Sequence, residues 1–379
     1  MHRTDSSPRR GNVLVLTIFL MIIMVGLLAF TLDLGYVYVA DSQLQRSADA
    51  AAMAAALDLM DDDALEGNPN ETGIVSDARS TARTYAGVNH VLAENPQLAT
   101  EDIEVGYIED PFDPDSPLQT TNINMYNSVR VRVRRHSDMN GEVPLFFARF
   151  LGSDRCSLQA EATATLLVNV RGFEVPQGEE NVGILPIAIK EETWLDMLAG
   201  GGDDGFTWDS EAGQVQAGSD DIREINLYPQ GVNSPGNFGT IDIGGNDNST
   251  AVIARQILHG PTRADLAHHG GRVELDDNGE LFLNGDTGIS AGIKDELRSI
   301  IGKPRVIPVY RTVVHNGNNA TFTIVAFVGV RILAVELEGN FKRKHVTIQP
   351  ANVVLRGGIP ETDQTQRSQF VYSPVWLSR

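Results

Sequence analysis

A single cysteine, Cys156, stands in 379 residues, which excludes an intrachain disulfide and any zinc site built on cysteines. Its expected role is that of a small buried residue on a strand, with intermolecular pairing as the alternative. Basic residues are also scarce: 30 Lys and Arg against 50 Asp and Glu leave a net charge of −20. So acidic a chain repels phosphate backbones and argues against nucleic-acid binding. Aromatic residues make up only 7% of the sequence. Catalytic signatures are missing as well. There is no H-E-x-x-H, no G-x-S-x-G and no G-K-[ST] loop. With neither a reactive group nor its context in view, no catalytic site, cofactor or small-molecule substrate is expected.

One feature is abundant, and it lies at the N-terminus. From Val13 to Leu32 there is no charge, and the only polar side chains are Thr17 and Thr31. Twenty residues of helix cover about 30 Å, the hydrocarbon thickness of a bilayer. A secretory signal has a shorter apolar core and a small-x-small cleavage site; here Tyr38 precedes Ala40 in that frame. The run therefore reads as a retained anchor. Arg9 and Arg10 precede it, while Asp33 and Asp41 follow it. The positive-inside rule then places the N-terminus in the cytoplasm and the bulk of the chain outside it. Beyond the run no proline interrupts residues 34–60, and Val37, Ala40, Leu44, Ala48, Ala51 and Ala55 recur on one helical face. That small-residue face suits either the chain's own downstream domain or a partner helix.

These residues carry a resemblance. A basic pair, an uncharged span and then LDLGYVYVADSQLQRSADAAAMAAAL is similar to the N-terminal segment of TadG-like proteins of the Tad/Flp pilus system. The shared pattern falls on Asp33, Gly35, Tyr38, Leu44, Gln45, Ala48, Asp49, Ala50, Ala51 and Ala54, with Ala55 continuing the packing face. A second stretch, residues 129–167, with its P-L-F-F-A-R-x-L-G core, resembles the first extracytoplasmic domain of TadE/TadG-type proteins. Residues 234–246 are similar to some of their C-terminal regions. Two departures limit what carries over. Gly11 is followed by Asn12, Val13, Leu14, Val15 and Leu16 with no Glu, so processing as a prepilin is not implied. No D-x-S-x-S loop is present, so an adhesion module is not implied either.

The rest of the chain predicts a fold class of three parts. Residues 1–60 form a cytoplasmic tail, a transmembrane helix and an Ala-rich helical stalk. Residues 61–171 form an α+β extracytoplasmic domain, and 172–379 a β-rich C-terminal domain. Within the second part, 61–75 reads as an acidic linker, 76–92 as a helix capped by Ser76, and 103–108, 128–135 and 157–170 as strands, with a short helix at 145–151. In the third part helices are expected at 191–199, 250–259 and 290–301. Hairpins are expected at Asn316–Gly317 and at 277–279, between strands 272–275 and 280–283. Residues 321–337 are apolar on both alternating faces and predict a central, doubly covered strand, and Arg331 within them argues against a second span.

Isolated signals of chemistry weaken on inspection. Gly200, Gly202 and Gly205 match G-x-G-x-x-G, but Asp203 and Asp204 sit inside the loop and no helix follows, so a flexible loop is expected. Calcium on Asp203, Asp204 and Asp209 lacks regular ligand spacing, and Asp61, Asp62 and Asp63 read as a solvated acidic cluster near a helix end rather than a cation site. His268 and His269 are adjacent and diverge. The resemblance implies a non-catalytic structural component of a Tad/Flp pilus-assembly or secretion apparatus. It would be single-pass in the bacterial inner membrane, with the lipid bilayer and other single-span pilus-assembly proteins as partners. The alternative is an anchored binding module whose C-terminal domain holds a glycan or other envelope ligand on Trp194, Trp208 or Tyr228.

Overall fold

The computed structural model describes residues 10–60, 62–67, 70–227, 238–244, 249–315, 319–339, 343–362 and 365–379. Arg9, Asp61, Tyr228, the 316–317 turn and most of 234–246 lie outside the described residues, as does the side chain of Arg10.

The first element is one unbroken helix, α1 (Arg10–Leu57), of 48 residues. At 1.5 Å per residue it is about 72 Å long. Its apolar part has a mean hydropathy of 3.1 and none of it is buried. Val13 to Leu32 therefore project with no protein around them, long and apolar enough to cross a membrane. The second half of the same helix behaves differently. Leu44, Ala48, Ala51, Ala52, Ala55 and Ala56 are fully enclosed. They pack against Ala78, Ala82 and Ala86 of α2 (Glu71–Val88) and against an antiparallel sheet. Alanine on both helices permits close backbone approach, and the (i, i+4) spacing on α2 keeps its three on one stripe.

That sheet pairs β1 (Ile103–Gly106) with β2 (Ser128–Arg135), and β2 with β3 (Leu158–Thr165). Alternation decides its faces. Val129, Val131 and Val133 turn inward onto the helices, with Ala160, Ala162 and Ala164 beside them. The outward residues are charged and matched across strands. Arg130 meets Glu104 at 3.2 Å, Arg132 meets Glu161 at 3.0 Å, and Arg134 meets the buried Asp102 at 2.9 Å. The strand Trp376–Leu377 returns from the far end of the chain to pair with β3.

The C-terminal part is β-rich. Five strands pair in a closed circuit: β4 (Ile187–Lys190), β5 (Phe238–Ile241), β6 (Leu281–Asp286), β7 (Pro304–Val314) and β8 (Ala320–Glu336). The order is β4–β5–β6–β8–β7, and β7 runs parallel to β4 to complete it. β8 also pairs with β9 (His345–Pro350). Residues of β8 feed two cores, Phe322, Ile324 and Phe327 one, Val325, Val328 and Val330 the other. This accounts for its two-sided apolar pattern. Phe322 crosses a gap that only glycine leaves open: a Cβ on Gly239 would lie 2.4 Å from its ring, and one on Gly285 2.8 Å.

Several local expectations shift. α2 starts at Glu71, not Ser76, because the side chain of Asn70 accepts the N–H of Gly73 at 3.0 Å and caps the helix from inside the expected linker. The turn at 276–280 forms, but its flanks join different sheets. Arg272–Glu274 pairs with Val170–Glu174, whereas β6 pairs with β5 and β8. The helix expected over 290–301 divides into a 3₁₀ turn, Ala291–Ile293, and a short α-helix, Lys294–Ser299.

Candidate functional site

The junction between the apolar run and the folded part is the site most sharply built. Asp33 is the first charged residue after the run, and it is only 5% exposed. Its Oδ1 accepts the N–H of Phe146 at 2.8 Å, and its Oδ2 accepts those of Phe147 at 2.9 Å and Ala148 at 2.6 Å. Burial pushes the carboxyl upward, but the N–H bonds from Ala148, Phe146 and Phe147 outweigh it and hold Asp33 below its ordinary 3.8. The ring of Phe146 stands edge-on to Tyr36 with centroids 5.1 Å apart. So a residue at the mouth of the span clamps a loop more than 110 residues away in sequence.

That loop is the tip of a hairpin. Val143–Pro144 pairs with Arg155–Cys156, and Leu145 donates to the carbonyl of Asp154 at 2.9 Å. Between them Ala148–Leu151 forms a 3₁₀ turn, closed by Gly152 in the left-handed region at φ +96°. The helix expected at 145–151 is this single turn. Sequence reading found both halves of the junction, the D-x-G segment and the P-L-F-F-A-R run, but had no signal joining them.

The other motif residues serve packing. The amide of Gln45 donates to Asp49 at 2.8 Å and to the carbonyl of Glu161 on β3 at 3.2 Å, tying helix to sheet. Ser47 donates to the carbonyl of Ala86 on α2. Leu44, Ala48, Ala51 and Ala55 are fully enclosed. Of the two readings open for the Ala face, its own downstream domain or a partner helix, the structure has the chain's own α2 and sheet packed on it. What stays open on α1 is a different surface. A side chain on Gly35 would touch nothing within 4 Å, and Leu34, Tyr38 and Val39 are exposed.

The remaining candidates resolve into local structure. Gly200 and Gly202 adopt positive φ, and Gly202 lies under the backbone of Glu224. Glu224 accepts the N–H groups of Gly205 and Phe206, so it organises this loop; burial pushes its carboxyl up. Asp204 accepts from Ser219, and Asp209 from Glu211, Ala212 and Gln216. Asp62 and Asp63 accept from Asn352 and Asn70. Among the described residues no His, Cys, Asp and Glu cluster is arranged to hold a metal ion. Trp194 is buried, bonded to Gln369, and edge-on to Phe370. Trp208 is covered by the guanidinium of Arg331 at 4.8 Å. Neither indole presents a ligand platform.

Two family models match the chain in tandem. The TadE/G-like family of Flp pilus assembly covers residues 11–58, and the Tad-like Flp pilus-assembly C-terminal model covers residues 54–164. Residues 11–164 thus match the Tad/Flp pilus-assembly families, and the two hits support a TadG-like protein. The two matches together span α1, α2, the three-stranded sheet and the clamped loop, and the β-rich part lies beyond them. These Tad families are structural rather than enzymatic. No curated protein and no solved structure matched the chain.

Proposed function

We propose that this TadG-like chain is a membrane-anchored, non-catalytic structural component of a Tad/Flp-type pilus-assembly or secretion apparatus. It sits in the bacterial inner membrane with Arg9 and Arg10 on the cytoplasmic side. A single span leads to a Tad-type unit, and the β-rich domain lies beyond that, in the periplasm. The observation that carries this reading is the continuity of α1: its exposed apolar half and its buried Ala-rich half are one helix. A free stalk would leave the folded mass loosely tethered. A helix that is both span and core residue fixes that mass rigidly at the membrane, which suits a scaffold. Partners then meet the outer surface of α1 around Gly35 and Tyr38, rather than its Ala face.

A photo-crosslinking residue at Tyr38, Met53 or Ala51, in cells assembling pili, tests the reading. Positions 38 and 53 are expected to trap other single-span pilus-assembly proteins, and position 51 to react only within the chain. If positions 38 and 53 trap nothing while the protein is present and inserted, the component reading fails.

A further inference from the structure

The loop clamped by Asp33 displays an unusual surface. Phe146 is 50% exposed, Phe147 39%, Phe150 77% and Leu151 88%. Four large apolar side chains within six residues, on a chain of net charge −20, are out of keeping with an aqueous surface. Their position supplies the explanation. The backbone N–H groups of Phe146, Phe147 and Ala148 are bonded directly to Asp33, the residue that follows the last apolar residue of the run. If Val13 to Leu32 occupy the hydrocarbon, Asp33 lies at the headgroup boundary, and the loop is held at that same level.

We propose that the Phe146–Leu151 loop is a membrane foot, inserted among the lipids of the extracytoplasmic leaflet beside the span, with Asp33 as the positioning residue that sets its depth. This inference rests on the reading of Val13 to Leu32 as the bilayer span. The lipid surface is favoured as occupant because the patch is continuous with the apolar face of α1, which that bilayer already covers. Its chemistry suits the interfacial zone. Aromatic and aliphatic side chains partition there, and tyrosines mark the same level. Tyr36 packs against Phe146, and Tyr38 is 73% exposed. Arg149 lies over the ring of Phe150 at 5.2 Å, where its cation can meet a lipid phosphate. The carboxylate that clamps the loop is enclosed by N–H groups, so its charge does not oppose seating at the boundary.

The foot gives the anchor a second point of contact. A single span leaves a protein free to rotate and tilt about its axis, whereas a span plus a side wedge fixes one face of the Tad-type unit toward the lipid. The opposite surfaces are then presented in a constant orientation to neighbouring subunits.

The test uses the full chain with Cys156→Ser, reconstituted into vesicles of phosphatidylcholine and phosphatidylglycerol. An environment-sensitive fluorophore is placed at Phe150→Cys, Leu20→Cys or Phe282→Cys in turn. Leu20 reports the span, and Phe282, 58% exposed on β6, reports the aqueous domain. The expected result at position 150 is a blue-shifted emission, strong quenching by a lipid nitroxide near the headgroup, and a several-fold loss of iodide quenching relative to position 282. Iodide quenching at 150 equal to that at 282 would overturn the foot. So would shielding from both quenchers, which would assign the patch to a protein neighbour. If position 20 is not quenched by lipid nitroxides, the span reading itself fails and the foot falls with it, a result distinct from the other two. Asp33→Asn is expected to return iodide quenching at 150 while leaving position 20 unchanged. Should that variant not fold, the result in the Asp33 chain still decides the matter.

Discussion

Ala51 is the position at which the packing account is most exposed to failure. It is fully enclosed on α1, between Ala48 and Ala55 on the same face and opposite the Ala78, Ala82 and Ala86 stripe of α2. Ala51→Leu keeps helix propensity nearly constant but forces three more carbon atoms into an interface with no open side. Overpacking of this kind destabilises by about 1–3 kcal/mol. Met53, two residues further along and 40% exposed, is the matched control. Met53→Leu is expected to change stability by less than about 0.5 kcal/mol. Urea unfolding of the full chain in detergent, followed by the near-ultraviolet signal, separates the two. A neutral Ala51→Leu would refute the closed interface, and a neutral Ala51→Leu that also lost pilus assembly would hand the Ala face back to a partner chain.

Three further outcomes follow from particular contacts. Asp33 has its carboxyl held below 3.8 in the folded state, so its contribution is present above that value and is lost as pH falls through the lowered folded value. The stability gap between the native chain and Asp33→Asn should therefore stay constant at neutral and mildly acid pH and close only below about pH 4, read by urea titrations across pH. Asp102→Asn removes the buried partner of Arg134 and is expected to destabilise by about 1.5–3 kcal/mol, against less than about 1 kcal/mol for Glu161→Gln at the exposed pair with Arg132. Gly239→Ala drives a methyl into the ring of Phe322 and should lower the denaturation midpoint by an amount equivalent to about 1–3 kcal/mol, whereas Gly35→Ala on α1, with nothing within 4 Å and no positive φ, should show no such loss.

Much of the architecture was legible because it depends on local pattern. Strand β2 alternates valine with arginine, and its inward and outward faces follow residue by residue. The helix expected at 250–259 forms with those bounds, Thr250–His259. The helical face of α1 was equally plain from the spacing of Leu44, Ala48, Ala51 and Ala55. What occupies that face was not, since periodicity defines a surface without saying what covers it. The cap of α2 was hidden because Asn70 sits among turn-forming residues that read as linker. The 276–280 turn was visible, but not the divergence of its flanks, which is decided by distant strands. The Asp33 clamp was the least accessible. A carboxylate after a span and a Phe-rich turn each carry a signal, and only the fold brings their atoms within 3 Å.

One rigid helix runs from the apolar run into the core of the Tad-type unit. A pair of spin labels at Leu28 and Met53, both on exposed positions of α1, measures it directly in lipid nanodiscs. Twenty-five residues of unbroken helix predict a narrow distance distribution centred at about 38 Å along the axis. A broad distribution, a markedly shorter distance, or loss of the Leu28 label with a cleaved segment would contradict the account.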